Sequence, residues 1–110
     1  MKIIELVEKF ELGGQMAFTK DKEVREIYNG ARRRMVEVKL RENAVLTKHK
    51  SPEPISVLCL SGKGVFTAGA NLEDKLELSA GVLLTLEGGI EHEVTAAPEI
   101  HLLVTKFKTD

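Results

Sequence analysis

The chain has 110 residues and a formal net charge of −1, from 16 Lys and Arg against 17 Asp and Glu, with 43% apolar residues. That length suits one compact domain with a core of its own, needing no disulfide or structural metal. The balance excludes a disordered chain and a whole-molecule field that would gather nucleic acid or an anionic membrane.

Charges at Lys2, Glu5, Glu8 and Lys9 interrupt any apolar leader, and no apolar run approaches the ~20 residues of a membrane helix, so a cytoplasmic location is expected. Ile3, Leu6, Val7 and Phe10 follow the i, i+3, i+4, i+7 template, with Glu5, Glu8 and Lys9 on the other side. This predicts a helix over residues 1–12, packed by its stripe on the rest of the domain and ended by Gly13-Gly14.

After the glycines the period changes to two. Gln15 to Thr19 reads as a short strand and Lys20 to Glu23 as a solvated turn. Val24 to Tyr28, Asn29-Gly30 and Ala31 to Leu40 read as a β-hairpin, Asn-Gly being suited to a type I′ turn. Val36, Val38 and Leu40 share one strand face, and Glu37 and Lys39 the other. In Arg32-Arg33-Arg34, alternation splits the charges between faces, which favours a solvated strand or an oligomer contact over a nucleic-acid patch.

Ile55 to Leu60 is followed by Ser61-Gly62-Lys63-Gly64, read as a hairpin turn, and then by Val65 to Ala68. Cys59 shares parity with Ile55 and Val57 and is expected in the core; as the single cysteine it can form no intramolecular disulfide. Lys75 to Leu78, Val82 to Leu86, His92 to Thr95 and Glu99 to Phe107 complete the array, punctuated by Gly69-Ala70-Asn71, Ala80-Gly81, Gly88-Gly89 and Ala96-Ala97-Pro98. Many short strands with glycine turns predict a sandwich or barrel. There is no phosphate-binding glycine loop and no G-x-S-x-G elbow.

Two stretches resemble the two motifs of the cupin family. Where the first motif has a glycine, a His-x-His pair, a glutamate and a second glycine, this chain has Asn43, His49 and Ser51, Ile55 and Gly62 at the same spacing. Where the second has a glycine, Pro-x-Gly, a histidine and an asparagine, it has Gly81, Glu87 and Gly89, His92 and Ala96. The resemblance covers about residues 31–107. It implies an all-β, double-stranded β-helix or jelly-roll barrel of two antiparallel sheets, one domain over 1–110, and a homodimer.

In metal-bearing cupins three histidines and a glutamate hold the ion, and at those positions this chain keeps His49 and His92 but has Ser51 and Ile55 for the others. The expected site is a part-apolar pocket in which His49, Ser51, Ile55 and His92 bind a small molecule without catalysis. The alternative is a metal-dependent enzyme of the dioxygenase, isomerase or decarboxylase type. It would hold Fe, Mn, Ni or Zn weakly on His49, His92 and one further ligand. Glu53, Glu87 and His101 are the candidates for that ligand, against the more favoured reading of them as surface carboxylates and a strand histidine. Either site requires the strands carrying His49 and His92 to lie side by side, both rings facing one interior cavity.

Overall fold

The computed structural model describes residues 3–108, which form seven strands: β1 (Lys22–Asn29), β2 (Arg33–Leu40), β3 (Val45–His49), β4 (Ile55–Ala68), β5 (Asp74–Ser79), β6 (Leu83–Leu86) and β7 (His92–Phe107). All pairings are antiparallel. The two long strands, β4 and β7, pair with each other along most of their length and organise the rest. The first half of β4 takes β6 as its other neighbour and the second half takes β5. On β7, the first half pairs with β3 and the second half with β2, which carries β1 on its outer edge. Two sheet faces thus share their central strands, with β1, β3, β5 and β6 as the edges.

Strand alternation builds the core between those faces. Val36, Val38 and Leu40 from β2, Ile55, Val57 and Cys59 from β4, and Ile100 and Leu102 from β7 form one buried cluster. Each aliphatic side chain so buried contributes about 1.5–3 kcal/mol of transfer free energy. Burial also pushes the Cys59 thiol up from its usual value, against the smaller opposing effect of its bond to the Ser61 carbonyl. No helix among the described residues is long and apolar enough to cross a membrane.

Several local expectations are corrected. Residues 3–12 are not helical. A helix this short is marginal in water without a surface for its stripe, and Ile3 and Leu6 remain 90% and 83% exposed. The segment is instead held at points: Glu8 pairs with Arg25 at 2.9 Å, Phe10 meets the His101 ring edge-on, and Gly13 N–H donates to Leu60 O at 2.8 Å. The strand expected over Gln15 to Thr19 is likewise absent.

Between β1 and β2 the hairpin forms, but as a longer loop through Gly30, Ala31 and Arg32, and neither Asn29 nor Gly30 takes positive φ as a type I′ turn requires. Ser61 to Gly64 is no turn at all: it is a pair of irregularities within β4, where the chain bends from one sheet face to the other. Gly62 has φ +82° there, and a Cβ would lie 2.2 Å from Glu99 O, so only glycine lets the strands approach so closely. Ala96 to Pro98 is the matching irregularity inside β7, not a break between strands.

Candidate functional site

His49 ends β3 and His92 begins β7, and the two are direct partners in the β3–β7 ladder. Their ring centroids are 4.2 Å apart at an interplanar angle of 64°. From the other side Phe66, on β4, stacks nearly parallel to the His92 ring at 5.5 Å. Each imidazole is oriented by the same device: His49 Nδ1 lies 2.7 Å from Thr47 O, and His92 Nδ1 lies 3.0 Å from Ile90 O. A carbonyl only accepts, so in the neutral form of either ring the proton sits on Nδ1 and Nε2 is the acceptor. Neither Nε2 has a hydrogen-bond partner among the described residues.

The two histidines differ in setting. His49 is exposed, whereas His92 is 6% exposed. Burial holds His92 below the usual imidazole value. Its bond to Ile90 opposes this, while the charges of His49 and Lys106 add to it. His92 is therefore neutral at pH 7.

Both rings line a cavity of about 400 Å³, together with Ser51 and Ile55. That volume lies within the usual range of small-molecule pockets. Ser51 is placed by contact between two loops at the mouth. Gly88 approaches the Pro52 carbonyl so closely that a Cβ would lie 2.2 Å from the oxygen, and Gly89 N–H donates to Ser51 O at 2.7 Å. The Ser51 hydroxyl accepts from Glu53 N–H at 3.2 Å. Ile55 opens β4, 3% exposed, and forms part of the apolar wall with Val36, Val38, Leu46 and Val104.

All four residues singled out from the sequence thus meet at one cavity. It also contains residues the motifs do not indicate: Arg34, Lys50 and Lys106. Strand parity carries that signal, because Arg34 follows the inward register of Val36 and Val38, and Lys106 that of Leu102 and Val104.

Of the further ligand candidates, Glu53 lines the cavity and Glu87 does not. His101 is on the outer face of the sheet beneath the N-terminal segment, where its Nε2–H donates to Glu37 Oε2 at 2.8 Å. Glu37 is 6% exposed and also pairs with Arg25 at 2.9 Å. Burial alone would raise its carboxyl, but the bonds to His101 and Arg25 outweigh this and hold it below the usual carboxylate value. Ser61 Oγ, in the same outer region, is buried with no protein partner among the described residues.

These residues do not fit the metal of metal-bearing cupins. Ser51 and Ile55 stand at two of the ligand positions, and among the described residues no three His, Cys, Asp or Glu side chains converge on a point.

The sequence matches no protein-family model and no curated protein. Solved structures do match. A conserved protein of unknown function from Streptococcus pyogenes superposes with a TM-score of 0.75 at 16% identity, covering 99% of both chains. A cupin superfamily protein from Desulfitobacterium hafniense gives 0.76 at 13% identity, over 86% of this chain and 84% of that one. An RmlC-like cupin with a double-stranded β-helix fold, from Methanocaldococcus jannaschii, gives 0.71 at 13% identity over 94% and 93%.

The chain has the cupin fold. Within that fold the retained motif positions take the conformations their residue types favour: Asn43, Gly62, Gly81 and Gly89 all have positive φ. At these identities the likeness concerns the barrel and not its chemistry.

Proposed function

We propose that this cupin barrel binds a small organic molecule in the cavity beside His49 and His92 and catalyses no reaction of its own. The observation that carries the reading is the paired imidazoles, each locked through Nδ1 and each with Nε2 uncommitted, on the wall of a cavity of about 400 Å³. Ring nitrogens fixed this way accept hydrogen bonds from a ligand without paying for reorientation. Ser51 adds a polar group on the same wall, and Ile55, Val36, Val38 and Val104 give the ligand an apolar contact face. Such a mixture, apolar walls with a few fixed polar groups, is how small-molecule pockets combine affinity with orientation.

The test is a thermal-shift screen of the full chain against a metabolite panel, since a ligand that binds the native state must raise its melting temperature. A specific compound should give a concentration-dependent rise that His49→Ala and His92→Ala each abolish. Elemental analysis of protein purified without added metal provides the opposing outcome. Stoichiometric metal, lost in both variants, would replace the binding reading with the metal-dependent one.

A further inference from the structure

We propose that the occupant of this cavity is a small organic anion, its carboxylate or phosphate head held by Arg34 and Lys106 and its short apolar body against Val36, Val38, Ile55 and Val104. The inference rests on the pocket reading above and adds the charge and shape of the ligand.

Arg34 and Lys106 are direct partners in the β2–β7 ladder and line the same cavity. Like charges facing each other across neighbouring strands destabilise a sheet. An anion seated between them converts that repulsion into two charge-assisted hydrogen bonds.

The protein itself supplies no such anion to Lys106: among the described residues no carboxylate lies within ion-pairing distance of it. Arg34 has a contact of 3.5 Å to Glu26, with the two side chains 41% and 40% exposed. An exposed pair at that distance is worth little, so the guanidinium is readily recruited to a ligand. Its planar fork suits the two oxygens of a carboxylate or phosphate. Lys50 adds a third cation to the lining, and Glu53 is the single carboxylate among the described lining residues.

Depth gives the ligand its shape. Along β2, Val38 and Val36 are 3% and 4% exposed, whereas the Arg34 side chain is 41% exposed. Along β7 the series from Leu102 through Val104 to Lys106 likewise runs from fully to partly buried. Both strands therefore present an apolar interior leading to a cationic rim. Inorganic phosphate or acetate would use the rim alone, and a neutral lipid-like molecule the interior alone. An anion with an apolar body uses both.

Isothermal titration of the full chain with four matched probes tests this: hexanoate, hexyl phosphate, hexanamide and hexylammonium. The expected order is that one or both anions bind, hexanamide binds at least about tenfold more weakly, and hexylammonium does not bind. The stronger anion identifies the head group as carboxylate or phosphate. Arg34→Gln and Lys106→Met should each weaken the anion about tenfold or more and leave hexanamide unchanged, and added salt should weaken only the anion.

A second measurement checks the variants without ligand. Lys106→Met removes the repulsion, so its unliganded melting temperature should rise by roughly 2–4 °C. A fall would mean that Lys106 is already satisfied inside the protein, and would overturn the assignment. Equal affinity for hexanoate, hexyl phosphate and hexanamide would also overturn it while leaving the cavity as a binding site. Binding of none of the four would overturn the anion assignment, while the pocket reading stands or falls on the metabolite screen.

Discussion

Two histidine sites sit on opposite faces of the same sheet, and they are built by different rules. On the outer face His101 is closed in by a carboxylate, with Glu37, Arg25 and Glu8 forming a continuous chain of ion pairs and Phe10 covering the ring. On the inner face His49 and His92 have backbone carbonyls on one nitrogen, each other's rings alongside, and no partner among the described residues on the second nitrogen. A histidine bonded to a buried carboxylate, with an aromatic ring edge-on against it, serves the fold. One that is oriented and then left with spare capacity beside a cavity is equipped to meet something else.

That contrast makes opposite demands on mutation. Glu37→Gln should have the largest effect on stability. It leaves buried His101 facing a neutral amide and the exposed Arg25 without its counter-charge, and should cost about 1–2 kcal/mol in urea denaturation, nearly all of it from the His101 arm, with binding in the cavity unaffected. Phe10→Ala comes next, at about 1 kcal/mol, because it removes a half-buried ring and its edge-on contact with His101.

His92→Phe should change stability less, by under about 1 kcal/mol at pH 7, since a ring stacked on Phe66 is kept, while ligand-induced stabilisation disappears. His49→Ala should fall within about 0.5 kcal/mol, as expected for an exposed position, yet also abolish the ligand effect. Should His49→Ala or His92→Phe prove as destabilising as Glu37→Gln, the distinction between the two sites would collapse.

Acid titration separates them further. His92 is held below its unfolded value, so the unfolded chain takes up the proton first. The stability contributed by the neutral ring is complete above about pH 6.5 and is lost as the pH falls from there through the lower folded value. Glu37 is also held below its unfolded value, so its contribution is complete above about pH 4.3 and is lost as the pH falls through its own folded value. Stability measured against pH should therefore decline in two windows. His92→Phe should remove the upper decline and Glu37→Gln the lower one.

How much of this is legible in the sequence follows from how local each feature is. The strands announce themselves through alternation, and the spacing within each of the two motifs marks His49 and His92 as residues of one site, which the β3–β7 ladder pairs directly. The N-terminal helix failed because amphipathic spacing states only what a segment would bury if a surface were offered, and the barrel offers Phe10 a contact but none to Ile3 or Leu6. Gly62 and Gly64 look like a turn from inside the chain. Recognising a bend in one strand requires the partner, since it is the Glu99 and Thr95 carbonyls that exclude a side chain there. The cationic rim was hidden for a related reason. Arg34 lies in an arginine run that reads as solvated surface, and its significance appears only when Lys106, distant in sequence, is seen opposite it.

The joining role of β7 has a consequence for how the molecule comes into being. This strand closes against β2, β3 and β4, all of which precede it in the chain. Until it is synthesised, the ladders that hold those three to it cannot form, and their apolar faces wait unpaired. Closure is therefore a late, all-at-once event joining distant segments, of the kind that proceeds slowly and leaves the nascent polypeptide exposed to aggregation.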